Sequence, residues 1–139
     1  MGKKILIIED APVSRKFMEL ILNKEGFEML TSANGLEGLR KARTESPDLL
    51  ILDVMLPGLD GFEICYRLRG DPETAKLPIL ILSAKGQDSD RDAALKVGAN
   101  AFLPKPVDRL VLLSKVAELL NLSPSEPAKQ GPTDLPKSG

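Results

Sequence analysis

No histidine occurs among the 139 residues. This removes a histidine general base, the commonest zinc ligand, and any phosphohistidine carried by the chain itself. A single cysteine, Cys65, excludes an internal disulfide framework and suits a reducing compartment. On the apolar side of a helix it reads as small core filler. No apolar run approaches the roughly 18 residues that a membrane span needs. Met1 to Lys4 lead into only four apolar residues before Glu9-Asp10, too few for a signal peptide, so the expected location is cytoplasmic. Nineteen basic residues face twenty acidic ones, for a net charge of -1. There is no basic surplus to argue for nucleic acid. What is present, 42% hydrophobic and 28% charged residues, fits one ordinary soluble globule.

The most informative stretch is D-L-L-I-L-D-V-M-L-P-G-L-D-G, from Asp48 to Gly61. Leu49 to Leu52 form a continuous apolar run, as in a strand buried on both faces, and the run ends abruptly in Asp53. Other short apolar runs are Lys4 to Ile8, the weaker Phe27 to Thr31, Ile79 to Leu82 and Ala99 to Leu103. Between them lie helical patterns. The first has Asp10 as a cap and Pro12 in its first turn, carries Val13, Phe17, Leu20 and Ile21 at helical spacing, and stops at Gly26. The second starts at Asn34-Gly35 and turns Leu36, Leu39 and Ala42 inward. The third, Phe62 to Arg69, has Phe62, Cys65 and Leu68 on one side. The fourth, Asp88 to Val97, is rich in small residues. The last, Val107 to Leu120, shows Val107, Leu110, Val111 and Ala117 as its apolar face. Five strand–helix alternations predict an α/β protein with a parallel sheet, helices on both faces and right-handed crossovers.

From Asn121 onward the composition changes. Four of the 11 prolines fall there, with no aromatic residue. Residues 1–121 are therefore expected to form the domain and 122–139 a disordered tail or linker.

The predicted strands end on their carboxyl sides in Glu9-Asp10, Thr31-Ser32, Asp53, Ser83 and Lys105. In an open parallel sheet those ends share one edge, where ligands bind at the reversal of strand order. With the first and third strands as neighbours, Glu9, Asp10 and Asp53 converge, flanked by Ser83 and Lys105. Three clustered carboxylates repel one another unless a cation and an ammonium sit among them. An oxygen-only ligand set selects a hard ion, and few protein ligands with open positions suit Mg²⁺. A carboxylate beside Mg²⁺, a lysine and a hydroxyl is equipped for phosphoryl transfer.

The segments I-L-I-I-E-D, A-N-G-L-E-G-L, D-L-L-I-L-D-V-M-L-P-G-L-D-G, P-I-L-I-L-S-A and G-A-N-A-F-L-P-K-P occur in this order between residues 3 and 121. Each is weak alone; together the chain resembles the receiver domain of two-component response regulators. The resemblance implies a flavodoxin-like (βα)5 doubly wound parallel sheet with strand order 2-1-3-4-5. It implies Asp53 as phosphoacceptor, and Mg²⁺ held by Glu9, Asp10, Asp53 and the backbone carbonyl of Met55. It further implies that Ser83 hydrogen-bonds the phosphoryl group, that Lys105 pairs with it, and that Phe102 changes rotamer into the space Ser83 vacates. A cis Lys105-Pro106 bond belongs to the same pattern. Met55 and Lys85 fall at positions that tune phosphoryl lifetime. Ser83 and Phe102 stand where threonine and tyrosine are common, and Phe102 has no hydroxyl to hydrogen-bond.

The function so implied is a phosphorelay signalling switch whose α4-β5-α5 surface changes, and not an enzyme turning over external substrate. Its phosphodonor would be a histidine kinase or a histidine phosphotransfer protein. Its output would be a separate downstream protein or a C-terminal output domain. Neither nucleic acid nor membrane is an expected partner, and a weak homodimer stays open. The alternative is an aspartyl-phosphate phosphohydrolase of the haloacid-dehalogenase type, but that resemblance needs D-x-D after the first strand, whereas Asp53 follows the third and precedes Val54-Met55. A flavin binder would need a glycine- and hydroxyl-rich phosphate loop where Glu9-Asp10 stand.

Overall fold

The computed structural model describes residues 2–84 and 88–121. The expectations for 122–139 and for Lys85 lie outside the described residues. Ten elements alternate: β1 (Lys4–Ile8), α1 (Pro12–Lys24), β2 (Glu28–Ser32), α2 (Gly35–Thr44), β3 (Leu49–Asp53), α3 (Gly61–Arg69), β4 (Ile79–Ser83), α4 (Asp88–Lys96), β5 (Ala101–Pro104) and α5 (Arg109–Leu119). The five strands form one parallel sheet in the order β2-β1-β3-β4-β5. The α/β fold and strand order are those read from the sequence.

Strand alternation divides the core into two layers. Leu6, Ile8, Leu50, Leu52, Ile79 and Ile81 face α2, α3 and α4, where Leu39, Ile64, Leu68 and Ala94 meet them. Ile5, Ile7, Leu49, Ile51, Leu80 and Leu82 face α1 and α5, where Met18, Leu22, Leu112 and Val116 meet them. β3 is the central strand and is buried throughout, which is why its sequence is apolar without alternation. β2, at the edge, is the most exposed strand at its start, in line with its weaker sequence signal.

Several helix faces differ from the expected ones. On α1, Val13, Phe17 and Leu20 are exposed, and the buried side chains are Met18, Ile21 and Leu22. The helix carries two adjacent apolar stripes, and spacing alone does not choose between them. On α5, Leu110 and Val111 are exposed while Leu112 and Val116 are buried. That helix is apolar nearly all round, so its periodicity is uninformative, and Val107 lies before its first turn. Leu36 on α2 also faces outward. Asp10 does not cap α1. Ala11 occupies the N-cap position without a side-chain bond. Glu9 takes that duty in part, accepting from Ala11 N at 3.0 Å and from Ser14 Oγ at 3.2 Å.

Candidate phosphoacceptor site

β1 and β3 are paired neighbours, with Ile8 opposite Leu52, so the next residue of each, Glu9 and Asp53, emerge side by side. One carboxylate oxygen from each of Glu9, Asp10 and Asp53 lies within 4.8 Å of the other two. Glu9 and Asp53 are buried, and Asp10 faces solvent. Lys105 reaches across from the loop after β5. Its Nζ donates to Glu9 Oε1 at 2.8 Å and to Asp53 Oδ2 at 3.3 Å. The Lys105-Pro106 peptide is cis. Arg15 steadies the approach to the site, donating through Nη1 to the carbonyls of Glu9 at 2.9 Å and Asp10 at 3.3 Å.

Electrostatics separate the two buried acids. Burial pushes the Asp53 carboxyl up, and Glu9 beside it adds to the effect. Lys105 offsets only part of this, leaving Asp53 at about 6 against an ordinary 3.8. Burial also pushes Glu9 up, but the bonds from Lys105 and from the Ala11 amide outweigh it and hold Glu9 below its ordinary value. For Lys105, burial alone would lower the ammonium's pKa. The bond to Glu9 and the charge of Asp53 outweigh that and raise it, so the lysine stays charged.

Asp53 and Ser83 sit at the ends of adjacent strands, with Asp53 opposite Leu82. The Ser83 side chain is buried, and its hydroxyl donates to Asp90 Oδ2 on α4 at 2.7 Å. An open cleft of about 600 Å³ runs over this edge, lined among others by Asp10, Met55, Asp60, Ser83 and Asp90. Beyond β3 the chain must turn back sharply. Gly61 N donates to the Val54 carbonyl at 2.9 Å, and a Cβ at Gly61 would strike the Asp53 carbonyl. Only glycine fits that approach. Asp60 then caps α3 by accepting from Glu63 N at 2.9 Å.

The geometry brings together Glu9, Asp10, Asp53 and Lys105 as the sequence led one to expect. Ser83 and Met55 both line the cleft. Phe102 lies on β5 with Arg91 over its ring. The residue is buried, at 4% exposure, with the guanidinium of Arg91 5.2 Å from the ring centre. Without a hydroxyl, Phe102 gains nothing from water, so burial wins. Ser14, Asp90 and Arg91 escaped the sequence reading. Asp90 is one acid among Asp88, Asp90 and Asp92, and nothing in that run distinguishes it.

The donor set fits a divalent cation. It has three carboxylates, no histidine and no thiolate, and two of the acids are buried in a cluster that repels itself at neutral pH.

A parallel sheet of this order, with acids and a lysine gathered at its carboxyl edge, defines a class of phosphoryl-accepting signalling domains. The family model for the response regulator receiver domain matches residues 5–117, and the chain belongs to that family. It is 42% identical over 116 residues to the transcriptional regulatory protein AfsQ1 of Streptomyces coelicolor, covering 84% of this chain and 50% of that protein. It is 36% identical over 117 residues to protein PilH of Pseudomonas aeruginosa, covering 84% of this chain and 97% of that one. Among solved structures, the receiver domain of the sensor histidine kinase PA1611 from Pseudomonas aeruginosa superposes with a TM-score of 0.81 at 30% identity, covering 87% of this chain and 99% of that one. That structure has a magnesium ion coordinated in its active-site cleft. The chain spans half or less of several curated relatives it matches, PilH being different. Residues 5–117 are thus a receiver domain of the two-component class, a phosphoacceptor signalling switch. Receiver domains are signalling domains and not classical enzymes.

Proposed function

We propose that Asp53 is the phosphoacceptor and that a partner's phosphohistidine is the donor. The observation that carries this reading is the joint placement of Glu9, Asp10 and Asp53 with Lys105 bridging the two buried acids. Asp53 Oδ attacks phosphorus, an O–P bond forms, and the P–N bond of the donor breaks. Its electron pair returns to the imidazole, which takes up a proton. The product is an acyl phosphate on Asp53. These 139 residues hold no histidine, so the phosphohistidine lies outside them, on a histidine kinase or a histidine phosphotransfer protein.

Glu9, Asp10, Asp53 and the Met55 carbonyl would hold Mg²⁺, which when bound neutralises charge on the transferred group. Lys105 supplies a second positive charge on the same side. Ser83 would donate to a phosphoryl oxygen, a charge-assisted bond of the stronger kind. Moving a two-state surface from 1:99 to 99:1 takes about 5.5 kcal/mol of differential interaction, so several such bonds must form together. The surface that responds is α4, β5 and α5, including Phe102.

The exposed apolar residues Val13, Phe17 and Leu20 begin three positions after Asp10 and support a protein as phosphodonor. Buried Cys65 is a free thiol, in keeping with a reducing, cytoplasmic setting. No turnover of an external substrate is expected, and output runs through a downstream protein or an attached domain. The test is incubation with Mg²⁺ and acetyl phosphate followed by intact mass. A gain of one phosphoryl group that disappears in Asp53→Asn is expected. No gain, or a gain that survives that substitution, overturns the assignment.

A further inference from the structure

Ser83 closes β4 with its side chain buried, and its hydroxyl proton goes to a carboxylate of α4. At 2.7 Å the Ser83–Asp90 bond is short, as expected for a hydroxyl donating to an ionised acceptor. The next residue, Arg91, lies over the Phe102 ring of β5. Two successive side chains of α4 therefore tie the helix to β4 and β5. Asp90 also faces the cleft that Asp10 and Ser83 line.

A serine hydroxyl has one proton to give. In this structure Asp90 receives it. A phosphoryl group on Asp53 would require the same proton. We propose that Asp90 is a positioning residue that competes with the phosphoryl group for Ser83 and so sets the threshold of the switch. The inference rests on the assignment of Asp53 and Ser83 given above and adds a residue to it. When Ser83 turns to the phosphoryl group, Asp90 is left as an anion facing a cleft that has gained negative charge. Repulsion then drives the first part of α4 outward, and Arg91 leaves the Phe102 ring with it. The trigger is thus an exchange of acceptor at one hydroxyl. The motion at β5 follows from Asp90 and Arg91 being consecutive on one helix.

The experiment is a double-mutant cycle on the full chain, with Mg²⁺ present and beryllofluoride as the phosphoryl mimic, read by calorimetry. Asp90→Ala is expected to tighten beryllofluoride binding about tenfold, the effect of removing one competing charged hydrogen bond. Asp90→Asn, which keeps an acceptor but not the charge, should fall between. Ser83→Ala should weaken binding, and adding Asp90→Ala to it should change nothing further beyond twofold. Thermal unfolding of each variant verifies that it is folded. If Ser83→Ala weakens binding but Asp90→Ala fails to tighten it, the competition is disproved and the role of Ser83 stands. If Asp90→Ala tightens binding equally with and without Ser83, Asp90 acts by bulk charge and the latch is wrong. If Ser83→Ala leaves binding unchanged, the assignment of Ser83 itself fails, and the latch with it.

Discussion

Lys105 Nζ sits closer to Glu9 than to Asp53, 2.8 Å against 3.3 Å. The ammonium therefore spends more of its field on Glu9 than on Asp53. Burial and the neighbouring Glu9 raise the pKa of Asp53, and the longer contact to Lys105 offsets only part of this, while Glu9 is held below its ordinary value.

Replacing Lys105 by methionine removes the counter-charge from two buried carboxylates. Breaking a buried pair from one side costs about 3–5 kcal/mol. Urea unfolding at pH 7.5 without Mg²⁺ should show a loss of that order. Part should return at pH 5, where a proton neutralises Asp53 in place of the lysine. Phosphoryl occupancy from acetyl phosphate should fall as well, as read by intact mass.

Asp53 itself predicts a pH dependence. Its carboxyl keeps a proton up to about 6 in the fold, against an ordinary 3.8. The folded state binds more protons than the unfolded state between those values. Stability therefore falls as pH rises through this window, and the deficit persists above it. Asp53→Asn removes the deficit. It should be more stable than the parent at pH 7.5 in EDTA, by about 2–3 kcal/mol. The two proteins should converge near pH 4. Mg²⁺ should also narrow the gap, because an ion held by the three acids would bind the parent more tightly than the variant that has lost one of them.

Asp10 is exposed, and no hydrogen bond to its side chain is found among the described residues, unlike Glu9 and Asp53. Asp10→Asn should leave urea stability within about 0.5 kcal/mol. Its Mg²⁺ affinity by calorimetry should drop about tenfold or more, since one charged ligand of a sparse oxygen set is gone. Glu9→Gln should weaken Mg²⁺ binding as well, but with a stability loss, because Lys105 and Ser14 both use that carboxylate.

Gly61→Ala places a methyl against the Asp53 carbonyl. The loop after β3 must move outward, shifting the backbone on which Asp53 and Met55 sit. Destabilisation of about 1–3 kcal/mol is expected, the usual range for forced overpacking. Mg²⁺ affinity should fall with it. Unchanged affinity at reduced stability would show that the loop yields without disturbing the site.

What was legible in the sequence was whatever depends on chain direction and pattern. The apolar run into Asp53 marked the central strand, because a strand buried on both faces has no polar alternation. Glu9, Asp10 and Lys105 could be placed because parallel strands deliver their carboxyl ends to one edge. Helix rotation was not legible. α1 and α5 carry more apolar residues than one face can bury, so Val13 and Leu110 looked as internal as Met18 and Leu112 prove to be. Contacts between side chains of different elements were equally hidden. The Ser83–Asp90 bond depends on how α4 is set against β4, which no residue spacing encodes. The cap of α1 was misread because Asp10 was credited with a bond that the neighbouring Glu9 makes.

The Lys105–Glu9 pair joins residues 96 apart in the chain. Its two halves come from the end of β1 and the loop after β5, the earliest and latest strands of this sheet in chain order. A polypeptide emerging from the ribosome holds Glu9, Asp10 and Asp53 long before β5 can dock beside β4. Until then Asp53 lacks its lysine. The contacts of Lys105 with Glu9 and Asp53 therefore form only once β5 has docked, and their presence reports that the whole sheet has been completed.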